Sequence, residues 1–191
     1  MENYLDQSIL QKREEEKKKK FRKLDTGVYI DGEVVEFERV NINDIFSIML
    51  PTTFEVMPAE FARVKYNSEF RPQRIYTNAE LDTNLGFTTF PDEMKIKDTE
   101  NLAKRIQQIV CRESPGCQLL EVSQLEEING HWFSLHSHAL DSDFFNMMLL
   151  TPMKKTILQA SFNCPFTKAE VWKHTVLQMW ETIECESRDE L

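Results

Sequence analysis

Glycine is scarce in this chain. There are 5 in 191 residues, where average usage would give roughly a dozen. Collagen-like repeats and glycine-rich phosphate cradles are thereby excluded. The Walker A loop, the dinucleotide fingerprint, the Gly-x-Ser-x-Gly elbow and the His-Glu-x-x-His helix are all missing. These absences argue against NTPase, dehydrogenase, serine-hydrolase and zincin chemistry, and leave open only an enzyme without a linear motif. No apolar run approaches the roughly 18 residues of a bilayer-crossing helix, and no apolar segment of signal-peptide type opens the chain, so neither a membrane span nor classical secretion is expected. Cysteine is also sparse. Cys111, Cys117, Cys164 and Cys185 show no CxxC spacing and are too few for a disulfide framework. They read as reduced thiols of a cytoplasmic protein, with a Cys111–Cys117 bridge around Pro115-Gly116 left open.

What is present is acid and apolar bulk. Asp and Glu number 32 against 23 Lys and Arg, for a formal charge of −9. The first 24 residues run the other way and are net basic, so the remainder is more acidic still. An acidic body repels phosphate backbones, which disfavours nucleic acid as a partner. Hydrophobic residues reach 41%, enough for a folded core.

Residues 2–23 read as a helix in which Glu14, Glu15 and Glu16 each precede a lysine by four positions, the favourable order for helix-surface ion pairs. Its basic half is read as solvent-facing. Val28–Ile30, Asp31-Gly32 and Glu33–Val40 read as a hairpin around a tight turn. Strands follow at Ile45–Leu50, Arg63–Tyr66, Arg74–Thr77 and Leu85–Phe90. Asp98 and Thr99 offer a cap to a helix with Leu102, Ala103, Ile106, Ile109 and Val110 on one face. Four more strands are expected at Gln118–Leu125, His131–Leu140, Asp143–Thr151 and Thr156–Asn163, the first two joined by an Asn129-Gly130 turn. Met147–Leu150 is apolar on both faces, as a covered central strand should be. Thr167 and Glu170 form a capping box for a last helix running to about Cys185, with Phe166 and Val171 as a staple. Trp172 and Trp180 fall on its apolar stripe and read as core.

Strands in series without crossover helices exclude a doubly wound parallel sheet. They predict an α+β fold, a mainly antiparallel sheet sandwiched by helices, carrying a charged N-terminal helix. The expected organisation is an extension over 1–25, one domain over 26–186 and a polar tail over 187–191.

Histidine holds the most interesting chemistry. His136 and His138 alternate onto one strand face with Trp132 and Ser134. Two imidazoles so placed take a metal if a third ligand, Cys164 or Asp141, reaches that face. Cys164, just before the last helix, also suits a Cys–His nucleophile pair, although a buried structural thiol is the ordinary reading. Asp141 and Asp143 flank Ser142, which reads first as a turn. The stretch Lys65–Gln73, with Tyr66, Phe70 and Arg71, has the aromatic and arginine content of a partner surface.

Phe46–Pro51 before Phe54, Glu126–Phe133, and Leu158–Pro165 followed by Trp172, within a match over about 28–185, resemble the PsbP/DcrB-like superfamily, which includes photosystem subunits and the Ran-binding nuclear-import factor. The resemblance implies an αβα sandwich and a binding, assembly or chaperone-like role without a catalytic set. The expectation is therefore a non-catalytic module that binds a protein partner, with no cofactor and with Trp132, His136, His138, Tyr66, Phe70 and Arg71 as candidate contact residues. The alternative is a small metal- or thiol-dependent enzyme using His136, His138 and Cys164.

Overall fold

A computed structural model of the chain describes residues 2–68, 71–90, 96–114, 116–138, 142–153 and 156–185. Phe70 and Asp141, both singled out above, lie outside the described residues. In chain order the elements are α1 (Glu2–Lys20), β1 (Arg22–Lys23), β2 (Gly27–Ile30), β3 (Glu33–Val35), β4 (Phe37–Ile42), β5 (Phe46–Pro51), β6 (Glu55–Val56), α2 (Ala59–Lys65), β7 (Arg74–Thr77), β8 (Asn84–Phe90) and α3 (Ile96–Glu113). They continue with β9 (Gln118–Leu125), β10 (Gly130–His138), β11 (Asp143–Pro152), β12 (Ile157–Pro165), α4 (Ala169–Glu181) and β13 (Glu184–Cys185). Every strand pairing described is antiparallel. The fold is α+β.

The described residues fall into two compact units, one running to Thr53 and resuming at His174, the other running from Phe54 to Lys173. The first unit holds two small sheets, ordered β1-β2-β3 and β13-β5-β4. Asp31 and Gly32 take φ of 50° and 93°, the two positive values a tight hairpin turn needs, and pair Ile30 with Glu33. The strand expected over Glu33–Val40 is instead broken at Glu36, whose carbonyl accepts the Thr52 N–H at 2.9 Å, and its halves join different sheets. Phe46, Ile48 and Leu50 alternate inward on β5 at 1% exposure or less, and Val176, Met179 and Trp180 from the end of α4 are fully buried in the same unit. The last helix stops at Glu181, short of Cys185. Thr182 turns the chain: its hydroxyl donates to the Met179 carbonyl at 2.6 Å and accepts the Met49 N–H at 2.9 Å. Glu184 and Cys185 then pair with Ser47 and Phe46.

The second unit is built on seven strands in the order β6-β7-β8-β12-β11-β10-β9. Strand β11 lies in the interior of this sheet, as its two-sided apolar run requires. Met147, Leu149 and Leu150 are at most 2% exposed. On one face Leu150 and Ile157 join Ala103 of α3, with Leu102, Ile106 and Met148 at the margin. The other face carries rows set by register: Trp132, Leu149, Ala160 and Phe87 in one, Ser134, Met147, Phe162 and Leu85 in the next. Trp172 packs on this face, its ring 5.5 Å from that of Phe162.

Four expectations fail locally in this unit. Arg63–Tyr66 is not a strand; Arg63, Val64 and Lys65 close the helix α2, and the Tyr66 N–H bonds back to the Ala62 carbonyl at 2.9 Å. Asp98 and Thr99 do not cap α3, which already includes Ile96, and Thr99 is fully buried. Asn129-Gly130 is not a two-residue turn: a 3-10 turn over Glu126–Ile128 precedes Asn129, which takes a left-handed φ of 50°. Thr167 lies inside another such turn, Phe166–Lys168, through which the chain enters α4.

Candidate functional site

The β10–β11 hairpin places His138 opposite Asp143 and His136 opposite Phe145. Residues two apart on β10 share a face, so both imidazoles point the same way. The Asp143 carboxylate serves both. Its Oδ1 lies 2.7 Å from His138 Nδ1 and its Oδ2 lies 3.1 Å from His136 Nε2. The first contact is a hydrogen bond. The second is close enough for charge attraction but lacks the alignment of one, and His136 Nε2 is buried without a hydrogen-bond partner among the described residues. The hydrogen bond with His138, and then the approach of His136, hold the Asp143 carboxyl below the ordinary aspartate value. Phe166, from the turn before α4, stacks on His136 with centroids 3.8 Å apart and planes 25° apart.

Cys164 does not join them. The register runs His136, Phe145, Cys164 across β10, β11 and β12. Phe145 therefore lies on the strand between them, and the backbones that carry imidazole and thiol are two strand spacings, roughly 9.6 Å, apart. Cys164 is fully buried. The third potential ligand on this face is Asp143. The register of β10 on β11, His138 against Asp143, is what brings it there.

The other candidates scatter. Trp132 is 3% exposed, on the packed face, with Lys173 Nζ 5.8 Å from its ring centre; Lys173 in turn pairs with Glu121. Tyr66 ends α2, and its hydroxyl accepts Asn163 Nδ2 at 2.9 Å. Burial pushes this phenol up, against the hydrogen bond from Asn163. Cys111 and Cys117 are free thiols. Burial first, and then the neighbouring Cys117, push the Cys111 thiol up.

Arg71 is exposed and lines a cleft of about 460 Å³ beside β6, α2 and β7. Arg63 and Arg74 line it too, with Val56, Met57, Pro58, Ala62, Pro72 and Ile75, and among the described residues no carboxylate lines it. None of the three arginines forms an ion pair among the described residues. Pro72 holds the segment in place by lying on Gly86 of β8, where an added Cβ would come within 2.5 Å of the proline ring. A second cavity, about 270 Å³ between α3 and the β9–β10 pair, contains Lys104, but that cation is already matched by Glu100 at 2.6 Å.

No known family model matches the sequence, and no curated protein matches it. Solved structures do match. The solution structure of cyanobacterial PsbP from Synechocystis sp. PCC 6803 aligns with a TM-score of 0.60 at 10% identity, over 83% of this chain and 98% of that one. The Ran-binding protein Mog1p of Saccharomyces cerevisiae aligns with a TM-score of 0.60 at 8% identity, over 80% of this chain and 97% of its own. The fold is PsbP/Mog1-like. LpqN of Mycobacterium tuberculosis, described as involved in cell envelope biogenesis, shares it at a TM-score of 0.50 and 11% identity over 81% of this chain and 94% of that one. At such identities the likeness carries the PsbP/Mog1-like fold and no residue of a site. Among the described residues no helix is long and apolar enough to cross a membrane.

Proposed function

We propose that this chain is a non-catalytic binding or assembly module, and that the cleft beside α2 receives an acidic segment of a protein partner. The observation that carries the reading is the arginine trio. Arg63, Arg71 and Arg74 line one cavity with no acid among its described lining residues, in a chain whose formal charge is −9. Guanidinium groups gathered in one cleft repel one another, and a carboxylate-bearing ligand removes that cost. Planar, always-charged guanidinium is also the side chain best matched to carboxylates. The apolar floor, Met57, Ile75 and the two prolines, supplies area that excludes water around those pairs. A binding role also agrees with the Ran-binding Mog1p sharing the fold. The non-catalytic part of the reading is supported by the separation of Cys164 from the histidines, since a nucleophile and its base must lie within hydrogen-bond reach.

The test is fluorescence anisotropy with a labelled peptide alternating Glu and Leu, compared with the same peptide carrying Gln for Glu. The expected result is saturable binding of the Glu peptide, at least tenfold tighter than the Gln peptide and weakened by salt. Arg71→Glu with Arg74→Glu should reduce it at least tenfold. Equal affinity for the two peptides, or binding untouched by the charge reversal, would overturn the proposal.

A further inference from the structure

We propose that His136, His138 and Asp143 form a binding site for one divalent transition-metal ion of the zinc class. The three side chains offer ligand atoms that all lie within 4.8 Å of one another. Metal–nitrogen and metal–oxygen bonds near 2.0–2.2 Å in a tetrahedron set neighbouring ligands about 3.3 Å apart. The two carboxylate oxygens of Asp143 already stand near that distance from the imidazoles, Oδ1 2.7 Å from His138 Nδ1 and Oδ2 3.1 Å from His136 Nε2. Small rotations of His138 and Asp143, both about half exposed, suffice to admit an ion.

A second observation points to a ligand. His136 Nε2 is shielded from solvent and makes no hydrogen bond among the described residues. A buried polar atom without a hydrogen bond is unfavourable. Pairing with Asp143 gives His138 a hydrogen bond but gives His136 only a 3.1 Å charge contact without one; a metal ion would give both imidazoles a ligand bond. The Phe166 ring stacked on His136 fixes the imidazole plane, as a preorganised ligand requires. Two nitrogens and one carboxylate suit zinc and its neighbours in the transition series. Calcium and magnesium call for six or more oxygens, which this hairpin does not offer. The ion would clasp the last residues of β10 to the first residue of β11. Its strands β11 and β10 lie three and four places from β7 in the sheet order, roughly 14–19 Å, so its presence and that of the arginine cleft are independent.

The experiment is a calorimetric titration of the full, metal-stripped chain with Zn²⁺, carrying Cys111→Ser and Cys117→Ser so that the thiol pair does not compete. One equivalent should bind. His138→Gln and Asp143→Asn lie at exposed positions; each should weaken binding at least tenfold while leaving the far-ultraviolet circular dichroism unchanged. Ca²⁺ and Mg²⁺ should not compete. The absence of saturable one-equivalent binding, or affinity unaltered in both variants, would overturn the site, and neither outcome bears on peptide binding at the cleft.

Discussion

Pro72 lies against Gly86 so closely that a Cβ at Gly86 would sit 2.5 Å from the proline Cγ and 2.7 Å from Ser161 Oγ. The backbone of β8 is thus a seat for the segment that carries Arg71 and Arg74. Gly86→Ala should cost about 1–3 kcal/mol through overpacking, read as a lower midpoint in urea unfolding. The same substitution should weaken acidic-peptide binding beyond what the stability loss explains, because the arginines move with Pro72. Peptide affinity equal to wild type under folded conditions would contradict this link.

Arg39 gathers three partners in the first unit: Ser47 Oγ at 3.0 Å, the Thr182 carbonyl at 3.1 Å and Glu184 at 3.2 Å. Hydrogen bonds from a charged donor outweigh an exposed ion pair. Arg39→Ala should therefore destabilise by about 1–2 kcal/mol, whereas Glu184→Gln should cost under about 0.5 kcal/mol. Paired denaturant titrations compare them. Equal losses would mean that the ion pair, not the tie to Thr182, holds β13 to β5.

Asp82 supplies the pH dependence. Burial alone would raise its carboxyl, but hydrogen bonds with Asn78 and Thr83 and the nearby Lys168 together lower it. A carboxyl depressed in the folded state stabilises fully above its unfolded value, near 3.8, and loses that contribution as pH falls through the lower folded value. Asp82→Asn should then be less stable than wild type at pH 6, with the gap closing below about pH 4. Urea unfolding of both proteins across that range gives the comparison; a gap that widens on acidification would contradict the sign.

The sheet was legible because its strands alternate or, at Met147–Leu150, run apolar on both faces. The helix α2 was not, because Arg63-Val64-Lys65-Tyr66 alternates like a strand while Val64 is in fact 83% exposed. Its better signal was electrostatic: Pro58 at the cap, Glu60 in the first turn, and Arg63 and Lys65 in the last. That misreading hid Arg63 from the cleft. The end of α4 was obscured because Thr182 acts through Met49, a contact 133 residues away in sequence. At the histidines, alternation gave the shared face, but the choice of Asp143 over Cys164 depends on register across three strands, which composition does not encode.

The central claim is that the arginine cleft is where a partner docks. Amide hydrogen exchange of the full chain, with and without the Glu–Leu peptide, tests it most directly. Slower exchange should concentrate at Val56, at Ala59–Arg63 and at Arg71–Ile75, and vanish in the Arg71→Glu, Arg74→Glu protein. Protection confined to the basic residues Lys17–Lys23, or none at all, would contradict it.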